Sequence, residues 1–184
     1  MKISIQTNFP DVAAELARLQ ATMAIQVLAR SLNRTIEQAR TEMSRQIRAE
    51  YNLGAAYVRD RLSIKRAFAS SGQFNLSAEL RGGGKRRSAN VSNFGARQVA
   101  EGVSVLIRKG QRRTIKGVFM GNKGRTVFKR DGKERLPISP VQTIDVAQMF
   151  NARRINAAVQ AAMLAKFPAI FERELAFAMS KVAK

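Results

Sequence analysis

Residues 102–130, GVSVLIRKGQRRTIKGVFMGNKGRTVFKR, decide the fold. Apolar residues alternate with polar ones in GVSVLIRK, and the segments TIKGVFM and GRTVFKR continue the strand-like composition. Alternation with a period of two places the apolar side chains on one face of a strand. Turns are expected at Gly110, at 122–124 and at Asp131-Gly132, where glycine and asparagine supply the backbone conformations that tight turns need. The stretch therefore predicts an antiparallel meander that ends in ERLPI.

Two further segments precede this meander. FNLSAELR, residues 74–81, alternates in the same way and predicts another strand, reached through a short helical piece, AAYVRDRL. The segment RGGGKRRSANVSNFGARQ that follows has three consecutive glycines and little apolar periodicity. We expect a basic, mobile and solvent-exposed loop over residues 81–99.

The N-terminal region predicts a strand followed by a long helix. MKISIQ alternates, Asn8 to Asp11 resembles a helix start, and apolar residues then recur at steps of three or four from Val12 to Ile47. About forty residues at 1.5 Å each would span roughly 60 Å, more than a domain of this size needs. Part of the apolar stripe is therefore expected to contact another subunit. The predicted interface residues are Leu16, Leu19, Met23, Leu28, Leu32, Ile36, Met43 and Ile47.

Helical periodicity returns from Asp145 to Lys184, with Pro168 expected to kink or break the helix. The predicted fold is α+β, with a long N-terminal helix and a C-terminal helix packed on a small antiparallel sheet. A chain of 184 residues favours one domain. Its predicted parts are the strand and long helix (1–54), the sheet with its basic loop (55–140) and the C-terminal helix (141–184).

The charge is concentrated in the central region. The chain carries 33 Lys and Arg against 13 Asp and Glu, and residues 51–140 hold 20 of the basic but only 5 of the acidic residues. Such an imbalance indicates an acidic or polyanionic partner. The candidate contact residues are Arg81, Lys85, Arg86, Arg87, Arg97, Arg108, Lys109, Arg112, Arg113 and Lys116.

Several interpretations of this basic patch remain open. It is a solvated face, an interface with acidic neighbours, or a non-specific nucleic-acid surface that neutralises phosphates. No zinc-finger spacing, RRM-like aromatic motif or helix-turn-helix is evident, so any nucleic-acid contact is expected through the backbone. A membrane surface is a weaker alternative, because both long helices are nearly balanced in charge and no stretch is long and apolar enough to span a bilayer.

The sequence offers little chemistry for an enzyme. Histidine and cysteine are absent, and the carboxylates are scattered, so no catalytic residue, metal ligand or cofactor is predicted. Glu37 with Glu42, and Glu172 with Glu174, lack the three- or four-residue spacing that aligns side chains on a helix. We interpret them as residues of solvated helix faces.

The segment GVFMGNKGRTVFKRDGKERLPISPVQTIDVAQMF resembles the signature region of the phage minor tail protein Z and tail-completion families. About thirty-five residues match closely, and the rest only in architecture. The glycine-rich basic loop has no counterpart in that pattern. The matching parts, in order, are Gly117 and Phe119, the strand Arg125 to Arg130, the Gly132-Lys133 turn, Arg135 to Ile138, the connector Ser139-Pro140, and the helix start Val146 to Phe150.

The resemblance implies a structural virion protein of the head-proximal end of a phage tail, made in the host cytoplasm, that acts in tail completion and head-tail joining. It implies a homo-oligomeric ring beside the tube, terminator, connector and tape-measure proteins, with phage DNA nearby. A ring closes when head-to-tail contacts permit. The alternative from the residues alone is a non-specific nucleic-acid-binding protein acting outside any virion.

Overall fold

The computed structural model describes residues 2–4, 21–70, 73–83 and 88–182, and it confirms the α+β fold. The helices are α1 (Ala21–Glu50), α2 (Ala55–Arg59), α3 (Val146–Phe150) and α4 (Arg153–Val182). The strands are β1 (Lys2–Ser4), β2 (Leu62–Lys65), β3 (Phe68–Ser70), β4 (Gln73–Asn75), β5 (Glu79–Gly82), β6 (Ala89–Asn90), β7 (Arg97–Val99), β8 (Gly102–Arg108), β9 (Gln111–Lys116), β10 (Val118–Gly121), β11 (Thr126–Arg130), β12 (Ile138–Pro140) and β13 (Gln142–Thr143).

These elements fall into two compact units. The first comprises the N-terminal region up to Met43, Ser63–Arg81 and the region from Arg153 onward, and the second comprises Ser44–Leu62 and Gly82–Ala152. The chain passes between the units four times, so neither unit is a continuous segment. The single-domain organisation stays a prediction.

The strands form small antiparallel sheets in the orders β1-β5-β2, β3-β4, β7-β8-β9, β10-β11-β12 and β6-β13. The predicted N-terminal strand is confirmed as β1, and GVSVLIRK is confirmed as β8. The turns at Gly110 and at 122–124 are also confirmed, because Gly110, Asn122, Lys123 and Gly124 all have positive φ.

In the first unit, α1 and α4 each bury one stripe. The predicted long helix ends at Glu50, close to the predicted position, while its predicted start lies outside the described residues. Ile36 and Met43 of α1 and Met163 and Phe167 of α4 have no exposed surface. Buried residues three or four positions apart share one face of a helix, so the periodicity of the sequence reflects this core.

Two polar contacts fix this helical unit. Nε of Arg34 lies 2.6 Å from Oε1 of Glu174, which joins α1 to α4. The Asn33 side chain donates to the carbonyl of Ala67 and accepts from its N–H, both at 2.8 Å. This paired contact fixes the segment before β3 against α1.

The interpretation of the glutamates as solvated is therefore wrong for two of the four. Glu174 is buried against Arg34, and Glu42 is also buried, whereas Glu37 and Glu172 are exposed. A buried carboxylate persists when a cation compensates for its lost hydration. The partner of Glu174 lies on another helix, where spacing along one helix could not reveal it.

In the second unit, the sheets share a core of small aliphatic residues. Valines 91, 103, 105, 118 and 127 form a buried cluster. The Asn90 side chain accepts from the N–H of Val127 at 2.9 Å and donates to its carbonyl at 3.1 Å. These bonds connect strand β6 to strand β11.

The expected mobile loop over 81–99 is largely wrong. Residues 84–87 lie outside the described residues, but Ala89 and Asn90 form β6, a 3-10 helix spans Val91–Phe94, and Arg97–Val99 forms β7. Ala89, Val91 and Phe94 are buried. Their irregular spacing follows a 3-10 turn, which neither the strand nor the α-helix pattern describes.

Two predicted strands are interrupted. FNLSAELR divides into β4 and β5, because the Asn75 side chain accepts from the N–H of Ser77 at 3.0 Å and forms a local turn. TIKGVFM divides into β9 and β10 at Gly117, whose φ is 70°. A positive φ ends a regular strand and is accessible to glycine at little cost.

The connection at Asp131-Gly132 contains more residues than the predicted hairpin turn. The strand β11 pairs with β12 from Arg130 with Ile138, so residues 131–137 form the connection. Pro137 lies in this connection and has no N–H to donate to a ladder. The paired segment therefore begins only after it.

A break at Pro168 is excluded, because α4 continues through it from Arg153 to Val182. The interruption instead lies between α3 and α4, at residues 151–152. Phe167 and Phe171, which flank the proline, are both buried, with ring centroids 6.1 Å apart. Burial on both sides offsets the lost backbone hydrogen bond.

Candidate partner-binding surface

The strand β9 is an edge of the sheet β7-β8-β9. It pairs with β8 on one side, and no other described strand pairs with its second side. Five of its six residues are exposed, and only Ile115 is partly covered. Ile115 packs against the valine cluster, so the inner face of β9 is anchored while its outer edge is open.

The sheet brings together six of the ten predicted contact residues, and all six are exposed. Val105 pairs with Arg113 and Gly102 with Lys116, which places the cations of β9 beside β8. We call this group the basic edge. It consists of Arg97 on β7, Arg108 and Lys109 at the end of β8, and Arg112, Arg113 and Lys116 on β9.

Of the other four predicted residues, one is described and three are not. Arg81 lies in β5, within the first unit, and donates to Glu79 at 2.6 and 3.0 Å. Lys85, Arg86 and Arg87 lie outside the described residues. Within the second unit, the described part of the predicted patch is therefore centred on β8 and β9.

Some cations of the basic edge have intrachain partners. Nη1 of Arg112 is 3.3 Å from the Ser104 hydroxyl and 3.4 Å from the carbonyl of Gly95. Nζ of Lys116 lies 3.0 Å from Oε2 of Glu101, and both side chains are well exposed. An exposed pair of this kind contributes little to stability, so Lys116 can exchange its partner at low cost.

A cavity of about 320 Å³ lies beside the basic edge. Val105 and Ile107 supply apolar surface, while Arg108, Gln111 and Arg113 supply polar groups. The Arg108 guanidinium also lies 5.7 Å from the centre of the Tyr51 ring. An apolar cavity with two guanidinium groups is suited to a side chain that is apolar and flanked by acidic groups.

A second polar cluster in the same unit surrounds Asp145. This residue has no exposed surface, and its Oδ1 lies 3.2 Å from Nε of Arg61 and 3.3 Å from the Tyr57 hydroxyl, which donates to it. The Arg61 guanidinium carbon is 3.5 Å from the centre of the Tyr57 ring. Asp145 also precedes α3, and its N–H donates to the Gln148 side chain at 2.8 Å.

Burial, reinforced by the negative charge of Asp145, raises the pKa of Tyr57 to about 12 from an ordinary value of 10.0. The folded protein therefore retains the phenolic proton in a pH range in which the unfolded chain releases it. Stability from this group is complete below pH 10 and is lost as pH rises toward 12.

We therefore expect wild type to lose more stability than Tyr57→Phe when the pH is raised from below 10 to 12. Urea unfolding of both proteins at each pH measures the two differences. Comparing them isolates the phenol of Tyr57, because the two proteins share every other side chain. Equal losses in the two proteins would contradict the assignment.

The same cluster borders a second cavity, of about 650 Å³. Its lining is mostly polar and consists of Tyr57, Arg61, Ser88, Ala89, Asn90, Asn93, Arg125, Thr126, Pro140 and Gln142. Sequence reasoning missed this cluster, because Tyr57 and Asp145 lie far apart in the chain. The one available signal was Asp145 three residues before Gln148, a pattern typical of a helix N-terminus.

Only part of the predicted subunit interface is accessible to another subunit among the described residues. Leu16 and Leu19 lie outside the described residues, and Met23 and Leu28 are half-buried. Leu32, Ile36, Met43 and Ile47 are buried within this chain. A contact through this stripe stays a prediction, and among the described residues it has only Met23 and Leu28 to use.

Among the described residues, no group of three or more acidic side chains could hold a metal ion. None of the described helices combines the length and the hydrophobicity that a membrane-spanning segment needs. The methionines at buried helix positions, Met43, Met149 and Met163, belong to the core, whereas Met179 is half exposed.

The family described as prophage minor tail protein Z (GPZ) matches residues 11–184, nearly the whole chain. No curated protein and no solved structure matches the chain.

Proposed function

Because the chain belongs to the prophage minor tail protein Z family, and is thus a structural protein of a phage tail, we propose that it completes the head-proximal end of the tail and helps join tail to head. In this proposal it forms a homo-oligomeric ring and contacts tube, terminator, connector and tape-measure proteins. In this role it sets the geometry in which other tail proteins assemble, and it does not turn over a substrate.

The exposed basic edge carries this proposal. A joint between two preformed particles needs a surface on a rigid element that attracts its partner. The basic edge meets this need, because its cations project from paired strands over a buried valine cluster. Complementary charge raises the rate of encounter and disfavours wrong partners.

A variant with reversed charge tests whether this surface acts in assembly. A phage with a stop codon in this gene is complemented by wild type or by Lys109→Glu/Arg113→Glu. We expect the double variant to lower the infectious titre by about a hundredfold and leave unjoined heads and tails, because attraction at two contacts becomes repulsion. Lys129→Glu/Lys133→Glu is the matched control, since it changes two exposed cations of the same unit and the same net charge.

Titre and electron micrographs of the lysates give the result. Wild-type titre with Lys109→Glu/Arg113→Glu would contradict a role for the basic edge. Normal particles from the uncomplemented stop-codon phage would contradict the proposed function as a whole.

The second candidate is non-specific binding of nucleic acid. The concentration of cations in the central region favours it, because each neutralised phosphate releases counterions. It predicts an affinity for duplex DNA that falls steeply with salt. Duplex DNA is therefore a competitor in the binding experiment below.

A further inference from the structure

On the side away from β8, strand β9 pairs with no other described strand. An edge strand presents unpaired N–H and C=O groups, which bind extended peptides in many recognition complexes. The exposure of five of the six β9 residues leaves this edge accessible. The neighbouring strand β8 pairs with β9 on the inner side, with one register shift between Val105 and Arg108. This pairing holds β9 in an extended conformation before any ligand binds.

Charge disfavours a second copy of β9 as the occupant of this edge. β9 carries Arg112, Arg113 and Lys116 and no acidic residue. Two copies of β9 side by side would place cations next to cations, which destabilises a strand pair. Lysines on an edge also protect against aggregation, but the same charges attract a strand rich in carboxylates.

The cavity beside β9 places a second requirement on a strand that binds there. Arg113 pairs with Val105 in register, and both line the cavity with Ile107. A bound strand that places an apolar side chain in this cavity would direct its alternate, acidic side chains to the other face of the sheet, where Arg112 and Lys116 of β9 lie. A strand in which apolar and acidic residues alternate meets both requirements, the apolar side chain for the cavity and the carboxylates for the cations of β9.

The site is fixed before binding. The carbonyl of Ile107 accepts from the N–H of Asn52 at 3.0 Å, and the N–H of Lys109 donates to the carbonyl of Glu50 at 2.9 Å. The end of β8 is thus paired on the side opposite β9. A site that needs no ordering loses less entropy when a ligand binds.

We propose that β9 binds an extended acidic segment of a neighbouring tail protein by strand addition, with an apolar side chain of that segment in the cavity lined by Val105, Ile107 and Arg113. This inference rests on the proposed function, since it names the chemistry of the partner. It differs from nucleic-acid binding because backbone hydrogen bonds of the partner take part.

Binding of a fluorescent peptide of alternating glutamate and valine or leucine to the full chain tests the proposal. N–H groups of alternate residues point to opposite edges of a strand. One peptide is therefore N-methylated on its glutamates and another on its apolar residues. We expect one of these to lose affinity by about tenfold or more and the other to bind like the unmodified peptide, because only one edge faces β9.

Protein variants complete the test. Lys109→Glu/Arg113→Glu is expected to weaken the unmodified peptide by about tenfold or more, while Lys129→Glu/Lys133→Glu changes the affinity by less than about threefold. Equal binding of both N-methylated peptides would overturn strand addition. Displacement of the peptide by a duplex DNA of equal charge at a lower concentration would overturn the acidic-protein partner in favour of nucleic acid. Either of these two results would overturn only the strand-addition proposal. The proposed function would still stand if the Lys109→Glu/Arg113→Glu phage shows the expected loss of titre.

Discussion

Gly102→Ala is expected to lower the free energy of unfolding by about 3 kcal/mol, from backbone strain and a steric clash together. Gly102 begins β8 with a φ of 154°, which L side chains rarely adopt. A Cβ there would lie 2.0 Å from the carbonyl oxygen of Ile115. That oxygen belongs to the backbone of β9, so relief of the contact requires the two strands to separate.

Urea unfolding of the purified proteins measures this effect. Gly132→Ala is the control, because nothing lies within 4 Å of a Cβ at Gly132 and its stability should change by less than about 0.5 kcal/mol. A single transition is expected in each protein if the two units fold as one domain. A Gly102→Ala protein as stable as the control would contradict the β8–β9 geometry on which the basic edge depends.

Asp145→Ala is expected to cost about 3 kcal/mol as well. The substitution removes the buried partner of Arg61 and of the Tyr57 hydroxyl, and it leaves the guanidinium largely covered without its carboxylate. Removal of one member of a buried pair is costly because the remaining charge has lost its hydration. The change also removes the residue that caps the N-terminus of α3, a position that favours aspartate.

Two comparisons make this prediction specific. Asp145→Asn keeps the shape and should cost less than alanine, since an amide oxygen still accepts from Tyr57. Asp131→Ala removes an exposed carboxylate that accepts from the Ser139 hydroxyl at 2.6 Å, and we expect a loss below about 1 kcal/mol. Chemical denaturation at neutral pH gives all three values. Equal losses for Asp145→Ala and Asp131→Ala would show that burial of the pair has no energetic role.

Local pattern predicted much of this fold. The three- and four-residue spacing in α1 follows its buried stripe, and Gly110 and residues 122–124 mark turns because their backbones have positive φ. The cations of β8 and β9 were predicted as one group because they are close in sequence. Arg81 was included for the same reason, and the structure shows that it pairs with Glu79.

The features that the sequence did not predict depend on contacts between residues that are far apart in the chain. Nothing near Glu174 indicates that Arg34 compensates for its burial, and nothing near Tyr57 indicates Asp145. The burial of Val91 and Phe94 is hidden among serine, asparagine and glycine residues in a 3-10 turn. Local rules also give no measure of the packing around Pro168 that keeps α4 helical.

The most direct test of the central claim is the position of this protein in the particle. Infectious particles that carry a short epitope tag on the chain are purified, labelled with antibody-coated gold and examined by electron microscopy. The account predicts label at the junction of tail and head. Label at the distal tip of the tail, or infectious particles that lack the protein, would contradict it.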